Sequence, residues 1–236
     1  MYRFARALLI GVILSAPPAL AQSAGVTLDF SAEVVSRYVV RGLDFGASPS
    51  VQPVVAASGY GFDVGTWGNY GLTGTDEGNG AELDFWIGYT QDLGSAGALR
   101  VGLVDYFFDG QRFFEFGGDG TGAHYLEAQL RYERPAGLPV YVFAGRNIHN
   151  DADGSWYAEA GYSGTVGDVG LEAAAGVAGG ESAWYRVEGS APALINLQTK
   201  LSKRVPVTDA FALPVSATFT VNPHAERVFL VVGLSL

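Results

Sequence analysis

The stretch Val228-Phe229-Leu230-Val231-Val232-Gly233-Leu234-Ser235-Leu236 decides the fold. Val228, Leu230, Val232, Leu234 and Leu236 put an apolar side chain at every second position up to the last residue. Successive side chains of a strand point to opposite faces, so a period of two marks a strand with two unlike faces. The same period recurs upstream. Val26, Leu28, Phe30, Ala32 and Val34 alternate with Thr27, Asp29, Ser31 and Glu33. Leu83, Phe85, Ile87 and Tyr89 alternate with Glu82, Asp84, Trp86 and Gly88. Leu126, Ala128, Leu130 and Tyr132 alternate with Glu127, Gln129 and Arg131. Residues 99–103, 195–201 and 211–219 follow the same rule.

Turn-rich pieces separate these runs: GASPS at 46–50, TGTDEGNG at 73–80, DLGSAG at 92–97, GGDGTG at 117–122 and HNDADG at 149–154. Their Gly, Asn, Asp and Pro residues supply positive φ or preset turns. The spacing predicts twelve strands, near 26–40, 51–59, 62–72, 81–91, 97–108, 122–133, 139–148, 155–163, 168–177, 193–204, 210–221 and 226–236. With the N-terminus on the periplasmic side, the periplasmic connections fall near 60–61, 92–96, 134–138, 164–167 and 205–209, and all are short. The outward ones include 41–50, 73–80, 109–121 and 178–192 and are mostly longer. Short inner turns with longer outer loops are the asymmetry of outer-membrane barrels. A secreted β-sandwich also alternates, but it has no reason to alternate its loop lengths. Low charge, no apolar run beyond strand length, and Tyr and Trp near strand ends favour the barrel. The expected fold is all-β: a closed, antiparallel, up-and-down transmembrane β-barrel of about 12 strands.

Composition agrees. The 236 residues include 33 Gly and no Cys, with 48% hydrophobic and 16% charged residues. A disordered chain needs lower hydrophobicity. Without cysteine there is no disulfide scaffold, thiolate nucleophile or cysteine metal site. A net charge of −10 with two lysines argues against nucleic acid as a partner.

Residues 1–21, MYRFARALLIGVILSAPPALA, read as a cleaved secretory signal peptide. Arg3 and Arg6 precede a short apolar core, and Ala19-Leu20-Ala21 matches the small-x-small cleavage pattern. The core is about half the roughly 20 residues that a spanning helix needs. Cleavage leaves residues 22–236 as the barrel. It keeps 12 of the 14 basic residues and all 24 acidic ones, a balance of −12. The expected location is the bacterial outer membrane, with outer-membrane lipid as the surrounding partner.

In a barrel the apolar partner of each alternation faces lipid and the other faces the lumen. The lumen set then holds Asp29, Glu33, Asp63, Glu82, Asp84, Glu127, Glu159 and Glu172 against Arg100, Arg131 and Lys200. Such an excess of carboxylates raises the local cation concentration and disfavours anions. The alternative is that these groups bond only to one another and plug a narrow barrel.

Catalysis would need a nucleophile beside a histidine and an orienting acid. His149 lies beside Asp151, and His224 lies near Glu226, without a serine at an alternating position close by. The expectation is no enzyme, no cofactor and no metal. HNDADG fails as an EF-hand loop, because His149 and Ala160 would stand where Asp and Glu are required. Asp76, Glu77, Asp119, Asp151 and Asp153 read as solvated turn formers, with loose binding of divalent ions at the outer surface as the alternative. The Gly strings at 59–65 and 117–122 read as turns, since no helix follows them to bind a phosphate.

Ser36-Arg37-Tyr38-Val39-Val40-Arg41-Gly42 follows the first strand, then Pro49, Gln52 and Pro53, then Gly65-Thr66-Trp67-Gly68-Asn69. Leu213-Pro214-Val215, Val221-Asn222-Pro223 and Glu226 precede the closing strand. This order resembles Gcw_chp, a family of uncharacterised bacterial outer-membrane proteins. Val40 stands where the family usually carries Phe, and the chain ends in Leu rather than an aromatic residue. The resemblance implies a porin-like layout in the outer membrane and assigns no activity. On physical grounds Arg41, just past the first strand, reads as structural, pairing with lumen acids or capping carbonyls. A gating or solute-binding role beside the lumen acids is the sharper alternative.

The expected function is a porin-like channel, monomeric or a homo-oligomer such as a trimer, that passes small hydrophilic solutes, cationic or neutral. Two alternatives belong to other classes. One is an outer-membrane lipid-modifying enzyme using His149 or His224 as base. The other is a structural or adhesive barrel that binds a partner through loops 109–121 and 178–192, whose aromatics, including Phe113, Phe114, Trp184 and Tyr185, are expected to be exposed.

Overall fold

The computed structural model describes residues 25–73, 81–108, 110–118, 120–134, 139–209 and 211–236. The leader 1–21 and most of the 73–80 turn lie outside the described residues. Fourteen strands follow in chain order: β1 (Thr27–Val35), β2 (Tyr38–Val40), β3 (Leu43–Gly46), β4 (Ser50–Gly59), β5 (Phe62–Gly71), β6 (Glu82–Asp92) and β7 (Ala98–Phe108). The rest are β8 (His124–Arg134), β9 (Val140–His149), β10 (Trp156–Val166), β11 (Val169–Ala178), β12 (Ala193–Thr208), β13 (Phe211–Asn222) and β14 (Arg227–Ser235).

Twelve of them, β1 and β4 to β14, form one closed antiparallel barrel, each wall strand paired with the next. Closure is made by β1 against β14, from Glu33 opposite Ser235 to Val35 opposite Gly233. The Leu236 N–H extends this seam by donating to the Ala32 carbonyl at 2.8 Å. Closure leaves no unpaired sheet edge. At the end opposite the long loops, Tyr60 and Gly61 connect β4 to β5 with φ of 56° and 85°. Two positive φ values make the type I′ turn whose twist matches a hairpin.

Pairing aligns the two faces of every strand around the wall. Glu82, Asp84, Arg100, Glu127, Glu159 and Lys200 share the inward register. The outward face carries Phe30, Ile87, Val101, Leu130, Val142, Leu230 and Val232, all exposed. The apolar core is therefore inside the barrel, near the loop end: Leu43, Tyr157, Ala178, Tyr185, Val187 and Ile195 pack together there.

One expectation is corrected. The first strand was expected to run to residue 40, with 41–50 as an outer loop. Instead β1 stops at Val35, whose partner across the ladder is already Ser50. The 14 residues between them form the separate β2–β3 hairpin, which turns into the barrel. Arg41 (φ 48°) and Gly42 (φ 76°) make its two-residue turn, again the geometry of type I′. A second correction concerns the 178–192 loop. Tyr185 is only 2% exposed, because this loop also folds inward.

Candidate functional site: a hairpin across the lumen

The hairpin starts between β1 and β4 and ends against the far side of the barrel. Around the ring, β9 and β10 stand opposite that starting point. The Arg41 guanidinium lies over the Phe143 ring of β9 at 5.1 Å and the Tyr157 ring of β10 at 4.9 Å. Beside them, Arg41 Nη1 donates to Glu127 Oε2 at 2.6 Å, and Nη2 donates to Glu127 Oε1 at 2.9 Å. Nη1 also donates to the Tyr185 hydroxyl at 2.6 Å. The planar guanidinium fits a carboxylate through two parallel bonds, which a lysine cannot do.

Glu127 is fully buried. Tyr106 Oη and Gln129 Nε2 also donate to it, at 3.1 and 3.0 Å. A carboxylate removed from water costs several kcal/mol unless it is paired and hydrogen-bonded; Glu127 is both. Gly42 completes the fit. A Cβ there would strike the Ile195 backbone carbonyl of β12, so the tip rests directly on the wall. Asn222 Nδ2 donates to the Gly42 carbonyl at 3.1 Å.

The hairpin is also held along its length. Arg37 forms a two-point ion pair with Asp44 across β2 and β3, Nε to Oδ1 at 2.9 Å and Nη2 to Oδ2. That guanidinium keeps the Asp44 carboxyl below the usual carboxylate range. Tyr38 Oη donates to Glu82 Oε2 on β6 at 2.8 Å.

The other inward charges sort by height in the barrel. Near the hairpin, Glu159 Oε1 accepts from Tyr141 Oη at 2.7 Å, and its Oε2 accepts from Tyr157 Oη and from Asn196 Nδ2 at 3.0 Å. Those three donors carry no charge. Toward the turn end, Arg100 pairs with Asp63 through both ends of its guanidinium, at 2.6 and 3.1 Å. Glu172 and Lys200 face each other across β11 and β12. Arg131 sits over the Tyr141 ring at 3.9 Å and pairs with Glu133. Ser216 Oγ donates to Glu33 Oε1 at 3.2 Å. Asp29 occupies the same inward register at the exposed turn end. The hairpin thus meets Glu82, Asp84 and Glu127, while most of the basic residues lie lower.

Cavities lie on both sides of the hairpin. One of about 330 Å³ is lined by Glu33, Gln52, Lys200, Ser216 and Thr218, together with hairpin residues. Another of about 200 Å³ lies against β5, β6 and β7. Tyr38, Val40, Arg41 and Trp67 line both.

The candidate catalytic and metal groups assemble differently. Asp151 accepts from Asn147 Nδ2 at 2.8 Å and from the backbone N–H groups of Asp153 and Ser155, the pattern of a turn former. Asp153 accepts from the Ala183 N–H at 2.8 Å and ties two outer loops together. Asp76, Glu77 and Asp119 lie outside the described residues. Among the described residues, no three His, Asp or Glu side chains converge to hold a metal ion.

Sequence reasoning missed one polar cluster on the outer face. Asp105 and His124 stand on the outward register of β7 and β8. His124 Nδ1 bonds to Asp105 at 2.8 Å, and Nε2 donates to the Phe113 carbonyl at 2.7 Å. Phe116 stacks on the ring at 4.3 Å. The outward alternation of Asp105 was the available signal, because a lone acid on an apolar face needs a cover.

A comparison with curated proteins returns no match. A family model described as a bacterial protein of unknown function, Gcw_chp, matches residues 19–178. That span holds the hairpin, Glu127 and the wall from β1 to β11. It stops before Val221-Asn222-Pro223. The chain belongs to the Gcw_chp family of bacterial proteins.

Proposed function

We propose that this barrel sits in the bacterial outer membrane and passes small hydrophilic solutes, cationic or neutral, through a lumen narrowed by the β2–β3 hairpin. The carrying observation is the insertion itself. Val35 and Ser50 are ladder partners, so a two-residue turn would suffice to join β1 to β4. The chain instead spends 14 residues on a hairpin that crosses the lumen between two cavities. A barrel needing only a rigid wall has no use for such a crossbar.

Two further features support the location. The outward face exposes large apolar side chains on nearly every strand, among them Phe30 at 59% and Leu230 at 64%. Water would penalise such a surface, and lipid would not. The leader supplies an export route. The inward excess of carboxylates favours cations over anions. Passage requires no covalent step and no cofactor.

Reversal potentials in planar bilayers across a potassium chloride gradient test this reading. The expected sign is that of cation preference. Anion preference, or no conductance, contradicts it.

A second reading is favoured by one observation. The 109–121 loop exposes Phe114 at 85% and Phe116 at 59%, which suits contact with a partner at the cell surface. Substituting both phenylalanines by serine would abolish such contact and leave conductance unchanged.

A further inference from the structure

The 200 Å³ cavity beside the hairpin is built mainly of rings. Trp67, Asp84 and Tyr106 are direct ladder partners across β5, β6 and β7, so their inward side chains form one row. The hairpin brings Tyr38 against Trp67 at 5.5 Å. From the loop side, Trp184 packs on Tyr106 at 5.6 Å. All these residues line the cavity, with Glu82 one ladder step from Asp84.

The charges in this chamber are unequal. Arg41 reaches it, but its guanidinium is committed to Glu127. Tyr38 donates to Glu82, and the Glu82 and Asp84 carboxyl groups bond to each other through one shared proton, so that the pair keeps one negative charge, while Asp84 Oδ1 is buried with no hydrogen-bond partner. A buried carboxylate oxygen without a donor is costly and needs an explanation.

We propose that this chamber binds a small organic ammonium cation, with the aromatic faces around it and Asp84 and Glu82 opposite its charge. Ring faces attract cations through their quadrupole, and desolvation strengthens that attraction. A bare divalent ion would want six or more oxygen ligands, which two carboxyl groups among rings do not supply. A neutral apolar guest would leave Asp84 Oδ1 as it is, and an anion would be repelled. The proposal names the solute class of the passage proposed above and rests on that reading for its purpose, but the binding itself requires only the chamber.

Calorimetric titration of the mature protein in detergent micelles tests it, with choline and its uncharged isostere 3,3-dimethyl-1-butanol as probes. Choline is expected to saturate one site and to bind about tenfold more tightly than the isostere. Asp84→Asn keeps the shape and is expected to weaken choline by a similar factor. Trp184→Leu is expected to weaken choline and leave its preference over the isostere smaller. Equal binding of the two probes overturns the proposal. So does the lack of saturable choline binding, or unchanged affinity in Asp84→Asn. Choline binding by a protein that is silent in bilayers would overturn the passage and leave the chamber. Conductance without choline binding would do the reverse.

Discussion

Arg41 ties the hairpin tip to the far wall of the barrel. Its φ of 48° is left-handed, a conformation costing roughly 1–2 kcal/mol for a residue with a Cβ. The two-point bond to Glu127 and the rings of Phe143 and Tyr157 offset that cost. Arg41→Ala is therefore expected to lower stability by about 3–5 kcal/mol, because it strands the buried Glu127 carboxylate. Urea unfolding in lipid vesicles measures this. Arg41→Ala combined with Glu127→Gln should recover part of the loss, since no buried charge remains unpaired. A second prediction concerns Arg37 and Asp44. The Asp44 carboxyl is held low by its arginine partner. A lowered folded-state value means that the contribution is complete above the ordinary carboxylate pKa of about 3.9 and is lost as pH falls through the lower value. Protection of the hairpin from protease should be flat from neutral pH to about pH 4 and drop below it. In Arg37→Gln it should already be reduced at neutral pH, and the drop in acid should be smaller.

At the scale of elements, the hairpin works because its turn fits flush against β12. Gly42→Ala adds a Cβ in a left-handed position against the Ile195 carbonyl. Such a variant should keep its strand content by circular dichroism and lose protection of residues 36–49 against protease. The wall strands were readable because alternation runs through most of them, down to β14, with Asp105 on β7 and His124 on β8 as breaks in it. The hairpin was not, since Val34 to Val40 keeps an extended and mostly apolar pattern through the break. Periodicity cannot tell a loop that leaves the barrel from one that enters it. A local cue did exist: Arg41-Gly42 between Tyr38-Val39-Val40 and Leu43-Asp44-Phe45 has the form of a tight hairpin. Arg41 was a candidate from its place past the strand, yet its partner Glu127 lies 86 residues on. No local rule links such positions. Trp184 and Tyr185 were read as exposed for the same reason, because their cover comes from inside the barrel. The 109–121 loop shows the converse, a loop clasped to the outside through His124. His124→Ala should free that loop for proteolysis while the barrel stays closed.

For the whole molecule, closure depends on the short seam between β1 and β14. Leu236 and Ala32 exchange backbone bonds, so Glu33 and Ser235, one step along, are a non-hydrogen-bonded pair with closely approaching side chains. The chain has no cysteine. Glu33→Cys with Ser235→Cys should therefore form one intramolecular disulfide without reducing the strand content, seen as a mobility shift that reductant reverses. An open sheet would leave the two thiols free. Closure makes the lumen, the ladder turns the carboxylates into it, and the crossbar sets how much of it is open. The most direct measurement compares single-channel conductance of the wild type with a variant in which residues 36–49 are replaced by Asn-Gly, the turn that the Val35 and Ser50 pairing accepts. A markedly larger conductance in the variant, with cation preference kept, is the predicted result. Equal conductance in the two proteins would contradict the account.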